Sequence, residues 1–362
     1  MENTTNIKFS SNVLEQYKVS IRKKVIILII LLILVLILAV VSIFVGSSNL
    51  TFIEAVKALF NSGTNNATLI VWNIRMPRVI AAIVAGCGLG LSGCIMQAVL
   101  KNPMASPATL GVSNAAVFGA NIAIIVFGAG AFHSTDGQSL TISNPFLVSS
   151  MAFLFSMLAI SLILALSKLR KFSPETVVLA GIAGGALFSA GTTLVQYFSI
   201  DTEIASAVYW TFGDLSRATY TQDLIIFVVV LVSFVIFYFL KWSYNSLRGG
   251  DTIAQSLGVK LQIVRFISLL LASLITAVCV SFLGVIGFLG LVAPQIMKRI
   301  IGSDYRFLIP ASGLAGSAML LFSDTISRII ISGVTLPVGA ITALLGAPLF
   351  IYILLKKEGN KI

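Results

Sequence analysis

Residues Phe266 to Met297 read FISLLLASLITAVCVSFLGVIGFLGLVAPQIM, 32 positions without one charged side chain. A helix that crosses a bilayer needs about 20 predominantly apolar residues. The stretch is therefore too long for one crossing and too apolar for a water-facing surface. Gly284, Gly287 and Gly290 stand in its middle, where glycine weakens a helix. They predict two shorter helices that turn near Phe282–Gly287, the second carrying Pro294.

The same kind of run recurs along the chain. Val25–Val45, Val79–Leu100, Ala108–Gly128, Phe146–Ser167, Thr176–Phe198, Leu224–Trp242, Phe307–Ile326 and Leu336–Leu355 are each long and apolar. With the two halves of the opening stretch they make ten spans. Of 362 residues, 57% are hydrophobic and 10% charged, against about 45–50% and about 25% in soluble proteins. Too few charges remain to coat a water-soluble globule, which excludes a soluble enzyme, a disordered chain and a secreted disulfide scaffold. The runs are unbroken rather than alternating, which excludes a membrane β-barrel. The expected fold class is an all-α polytopic membrane protein.

Charge placement orients the spans. The tail 1–24 ends in Arg22, Lys23 and Lys24. It is long for a signal-peptide n-region, and the run behind it is long for an h-region, so this run reads as a retained span. With the N-terminus in the cytoplasm, nineteen of the 24 Lys and Arg fall inside and five, Lys57, Arg75, Arg78, Arg217 and Arg328, fall outside. That asymmetry satisfies the positive-inside rule and predicts both termini in the cytoplasm. The expected organisation is a cytoplasmic tail 1–24, a ten-span domain 25–355 containing a cytoplasmic loop 242–261, and a cytoplasmic tail 356–362. Spans two to five and seven to ten then have opposite orientation, as in inverted repeats. The net charge of +11 is scattered between apolar runs, which suits topology and argues against a nucleic-acid surface.

Several chemistries lack their residues. Cys87, Cys94 and Cys279 lie inside apolar runs and read as small buried hydrophobes. His133, the single histidine, sits in a polar loop and has no sequence neighbour for a metal or a catalytic set. The dipeptide Gly-Lys never occurs, so no phosphate-cradling loop of the G-x-x-x-x-G-K type exists. No cofactor or metal bound by this chain is expected. Asp324 is the one acid well within an apolar run, spaced i, i+4 from Arg328 for an ion pair, which leaves an ion-coupled secondary carrier possible but poorly equipped.

Two features carry more. Gly86, Gly88, Gly90 and Gly93 crowd the second span and Gly181, Gly184, Gly185 and Gly191 the fifth, serving either close helix packing or the lining of a substrate path. Arg75-Met-Pro-Arg78 stands on the side poor in cations. Pro77 suits a helix start, and cations there oppose the macrodipole, so helix stability gives no reason for them. They either snorkel to the interface or receive carboxylates of a partner. Thr51–Glu54 has capping-box spacing, and Asp251–Leu257 predicts a short helix closed by Gly258.

Taken in order, these and further motifs resemble the FecCD-type permeases, membrane subunits of bacterial ABC importers for iron–siderophores, haem and cobalamin. The motifs are Arg75-Met-Pro-Arg78, Gly86 to Gln97, Lys101-Asn-Pro-Met-Ala-Ser-Pro-Ala-Thr-Leu-Gly111, Leu179-Ala-Gly-Ile182, Trp210-Thr-Phe-Gly213, Gly284 to Pro294, Gly302 to Arg306, Asp324 to Arg328 and Leu336 to Pro348. The resemblance implies the type II ABC importer permease fold and a homodimer or paralogous heterodimer in the bacterial cell membrane. It also implies two cytosolic ATPase subunits, which use ATP and Mg, and an extracellular or periplasmic binding protein. An iron(III)–siderophore is the expected cargo, with haem or cobalamin the alternative. Arg75, Arg78 and Arg328 match docking positions for that binding protein. Arg248, Asp251, Ala254, Leu257 and Gly258 match the ATPase coupling loop. Asn102, Pro103 and Met104 match the cytoplasmic gate, with Met104 replacing the usual leucine. Gly86, Gly90, Gly93, Gln97 and Gly181 match positions of the translocation path or of helix packing.

Overall fold

A computed structural model describes residues 2–46, 51–60, 63–129, 144–331 and 334–355. His133 and the tail 356–362 lie outside the described residues. Among the described residues fifteen α-helices follow one another: α1 Glu2–Phe44, α2 Phe52–Leu59, α3 Asn65–Leu69, α4 Met76–Leu100, α5 Val112–Asn121, α6 Pro145–Leu169, α7 Pro174–Tyr197, α8 Asp201–Thr211, α9 Tyr220–Phe239, α10 Lys241–Leu247, α11 Asp251–Ser256, α12 Leu261–Leu283, α13 Leu289–Ile301, α14 Tyr305–Ile329 and α15 Val338–Leu355. Among the described residues seven helices are long and apolar enough to cross a membrane, and two apolar helices, Val112–Val126 and Val338–Tyr352, are shorter. The protein is an all-helical, multi-pass membrane protein.

Local sequence sets most boundaries. Thr51 and Glu54 form the capping box that opens α2. Asn144 and Ser173 accept hydrogen bonds at the starts of α6 and α7, each followed by proline at the first helical position. Thr219 and Gln222 make a second capping box at α9. The expected start of the second span at Pro77 is corrected. The helix begins at Asn65 and runs without interruption to Leu100, passing through a π-helical turn, Ile70–Arg75. Pro77 has no N–H to give to the carbonyl four residues back, and the wide turn just before it takes up that mismatch. The third expected span, Ala108–Gly128, is shorter in the structure because turns occupy 101–111 and the helix begins at Val112.

The charge-free stretch divides where its glycines stand. Gly284 has φ +76° and ends α12, and Phe288 has φ +64° just before α13. Unpaired backbone inside a membrane protein has no water to bond. Here Val285 N donates to Thr211 O at 3.3 Å, Asp214 N donates to Leu283 O at 2.9 Å, and Val338 N donates to Gly213 O at 2.8 Å. The segment after α8 and the start of α15 thus close the break.

Helix α4 is the centre of the bundle, lying against α14, α12, α13 and α9. Almost all of it is buried. The glycines allow the approach. A methyl group built on Gly86 would lie 2.6 Å from Gly316 O, on Gly90 2.2 Å from Ser312 O, and on Gly93 1.7 Å from Gly290 O. These distances are far below van der Waals contact, so the backbones of α13 and α14 touch α4 directly. Gly181 places α7 in the same way against Leu110.

Gly93→Ala is expected to force α4 and α13 apart, with the cost of overpacking, about 1–3 kcal/mol. Gly184→Ala, where an added methyl meets nothing within 4 Å, is expected to be neutral or stabilising by up to about 1 kcal/mol. Thermal unfolding of the two variants in detergent checks the contrast.

Candidate functional site

The residues singled out in the sequence gather at the two ends of α4. At one end stand the arginines. Arg78 Nε donates to Asp324 Oδ1 at 2.6 Å, and Arg328 Nη2 lies 2.9 Å from Asp324 Oδ2. Arg78 Nη1 is 3.9 Å from Asp214 Oδ1. Arg75 Nη1 donates to Ile43 O at 2.7 Å and Phe44 O at 3.2 Å. Arg328 Nη1 donates to Ser42 O at 3.0 Å and Val45 O at 2.7 Å, and its Nη2 donates to the Ser42 hydroxyl. All three arginines and Asp324 are buried.

This geometry corrects one expectation. The cations do not oppose the dipole of their own helices. Arg75 and Arg78 lie inside the continuous helix Asn65–Leu100, well past its first turn. Arg328 lies in the last turn of α14, where a cation is favourable. Two of the three stabilise a third helix. A helix leaves its last four carbonyls unpaired and carries partial negative charge there. Residues 42–45 are the end of α1, and Arg75 and Arg328 bond all four of those carbonyls between them. Arg78 closes the cluster on Asp324. Its Nη2 is buried with no hydrogen-bond partner among the described residues.

The other end of α4 holds the expected gate and loop residues. Lys101 ends the helix with φ +49°. Asn102 Oδ1 accepts from Met104 N at 2.9 Å, and Ala105 N donates to Asn102 O at 3.1 Å. The turn is thereby folded on its own side chain, and Met104 stays exposed. One turn before it, Gln97 Nε2 donates to Gly290 O at 3.2 Å and Leu291 O at 3.3 Å. Pro294 lacks the N–H that would have paired Gly290 O within α13, so Gln97 supplies the missing donor from α4. Gln295 Nε2 in turn donates to Gln97 Oε1 at 2.6 Å and to Pro103 O at 3.4 Å. Beside these amides lies a cavity of about 400 Å³ whose lining includes Lys101, Arg248 and Lys298.

Helix α11 forms where the sequence places it. Gly258 closes it with φ +84°, and its N–H donates to Gln255 O at 2.9 Å. Ala254 is buried, whereas Ile253 and Leu257 are 52% and 66% exposed, an apolar pair turned away from the bundle. Arg248 is exposed as well. Asp251 Oδ1 accepts from Lys101 Nζ at 2.6 Å and from Arg265 Nη2 at 2.9 Å. Partial burial works against this carboxylate, but the hydrogen bonds and charges of Lys101 and Arg265 hold it below the usual carboxylate range. Asp304, which caps α14, is held down to about 2: burial opposes, and hydrogen bonds from Arg306 and Asn245 prevail. Sequence reasoning missed Arg265 and Gln295 in these roles. The partners of Arg265 lie 14, 93 and 166 residues away, beyond any local pattern.

Known proteins resemble this chain over most of its length. The profile of the FecCD transport family matches residues 31–356. A protein of Methanocaldococcus jannaschii assigned as an ABC transporter permease is 46% identical over 345 residues, covering 95% of this chain and 98% of that one. The hemin transport system permease protein HmuU of Yersinia pestis is 33% identical over 323 residues, 87% and 92% of the two chains. A solved structure described as the inward-facing conformation of a metal-chelate type ABC transporter superposes with a TM-score of 0.76 at 28% identity, covering 92% of this chain and 99% of that one.

Asp324→Ala is expected to leave Arg78 and Arg328 as buried cations without their carboxylate, costing about 3 kcal/mol. Arg78→Met in the same chain should recover part of the loss, read as the melting temperature in detergent. The depressed Asp304 carboxyl contributes stability that is complete above about pH 4 and is lost as pH falls towards 2. The stability gap between the wild type and Asp304→Asn should therefore narrow between pH 7 and pH 3.

Proposed function

Because the chain belongs to the FecCD transport family, we propose that it is the permease subunit of an ABC importer that carries an iron(III)–siderophore chelate across the cell membrane. It crosses ten times with both termini in the cytoplasm. Nineteen of 24 cations on one side support that orientation, and the break between α12 and α13 supports counting the charge-free stretch as two crossings. The permease works as a dimer, of identical or paralogous chains, around a shared path.

The observation that carries the reading is α11. It sits beside the gate turn at the cytoplasmic end of α4 and holds Ile253 and Leu257 outward. An exposed apolar pair on a short, charge-tethered helix suits a groove on a cytosolic ATPase. The chain lacks a Gly-Lys dipeptide and so relies on that partner for nucleotide hydrolysis. Movement of α11 then reaches Asn102, Pro103 and Met104.

At the outer end, Arg75, Arg78 and Arg328 gather on the side of the membrane that is otherwise poor in cations. Their clustering there, at positions that match the docking arginines of the family, supports docking of a binding protein through its carboxylates. Haem or cobalamin is the alternative cargo, a reading that the hemin and vitamin B12 permeases among the relatives support.

The assembled complex in proteoliposomes is expected to accumulate a ferric hydroxamate chelate when ATP is supplied. Accumulation should persist with a protonophore present and cease without the ATPase. Uptake that needs an ion gradient and no ATPase would establish a secondary carrier, and accumulation of haem or of cobalamin alone would select that alternative cargo. Docking of the binding protein to the wild-type complex should weaken as salt rises. An affinity independent of salt would remove the arginines from the docking surface.

A further inference from the structure

Arg265 lies on α12, with its side chain 4% exposed. Its fork reaches three other elements at once. Nη2 bonds both carboxylate oxygens of Asp251 on α11 at 2.9 Å. Nε donates to Val99 O, in the last turn of α4, at 3.3 Å. Nη1 donates to Phe172 O, in the turn between α6 and α7, at 3.3 Å. Asp251 adds a second strut by accepting from Lys101, the residue that ends α4 and precedes the gate turn.

We propose that Arg265 is the positioning residue through which a displacement of α11 is transmitted to the cytoplasmic ends of α4 and of the α6–α7 pair. The inference rests on the reading of α11 as the ATPase-coupling element and adds the joint behind it. Beyond its packing against α10 and α12, helix α11 holds the bundle through one buried apolar residue. Of its six residues, Ala254 is buried in the core, while Thr252, Ile253, Gln255 and Ser256 are exposed. Asp251 is its polar tie to the bundle.

A guanidinium is planar and rigid, and its donors keep fixed relative directions. Asp251 cannot move or turn without pulling the fork away from Val99 O and Phe172 O or carrying those carbonyls with it. Both carbonyls belong to helix-end turns and need a donor in a buried setting. The second course keeps them paired, so the ends of α4 and of the α6–α7 turn follow α11. Lysine at 265 could meet Asp251 as a point charge but could not hold three directions.

The test uses the full complex, with its ATPase and binding protein, in proteoliposomes. The probe is whichever of ferric hydroxamate, haem or cobalamin the wild type accumulates. Uptake and ATP hydrolysis are measured separately for Asp251→Asn, Arg265→Gln and the double variant. Each single change is expected to lower uptake per ATP by about tenfold, an ordinary size for coupling between sites. Residues acting through one joint are non-additive, so the double variant should lie within about twofold of the worse single one. Singles that keep uptake per ATP within about twofold of wild type, or a double variant whose losses multiply, would overturn the proposal.

Arg265→Gln could fail to fold. Asp251→Asn and Lys101→Met then carry the test alone, because their side chains are 41% and 36% exposed and the fold tolerates their loss. Leu257→Asp separates the underlying reading. If it leaves the ATPase bound, α11 is not the coupling element. If it releases the ATPase while the Asp251 and Arg265 variants keep uptake per ATP, only the joint proposed here is wrong.

Discussion

A membrane interior offers no water to a backbone carbonyl that has lost its partner, and this protein breaks its helices repeatedly. Each break creates the same debt of hydrogen bonds. The end of α1 frees the carbonyls of residues 42–45, and Arg75 and Arg328 reach across to take them. Pro294 frees Gly290 O inside α13, and Gln97 takes it. The last turn of α4 frees Val99 O, and Arg265 takes it. Charged side chains are few in this chain, and these arginines and the Gln97 amide act first as donors to stranded carbonyls. Any role in transport is built on those bonds.

That ordering explains why the arginine end is closed so thoroughly. Asp324 lies between Arg78 and Arg328, and neither cation could be buried so deeply without it. The same groups proposed to receive carboxylates of a binding protein also fasten α1 and α14 to α4. Electrostatic attraction and mechanical attachment are properties of one cluster.

Features fixed by near neighbours were legible in the sequence. The capping box at Thr51, the short helix at Asp251 closed by Gly258, and the break at Gly284 depend on residues a few positions apart, and each has a local physical cause. The family resemblance then supplied roles that spacing alone did not. What stayed hidden depends on contacts between distant segments. Pro77 reads as a helix start because the π-helical turn that absorbs it leaves no compositional mark. Arg75 reads as unfavourable because only its own helix is visible from sequence, while the carbonyls it bonds lie more than 30 positions earlier. Gln295 and Arg265 are silent for the same reason.

The uninterrupted helix Asn65–Leu100 has 36 residues, about 54 Å at 1.5 Å per residue. It carries the arginine cluster about a third of the way along, the glycine face beyond it and the Lys101 strut at the far end. Successive residues of a helix are rotated by about 100°. One residue gained or lost within α4 would therefore turn everything beyond it by that angle, swinging either the arginines off Asp324 or the glycines off α13 and α14. The helix serves the bundle as a phase reference. Substitution can drift along it, but its count of residues between Arg78 and Lys101 is fixed by azimuth, and changes in chain length are confined to the connections around it.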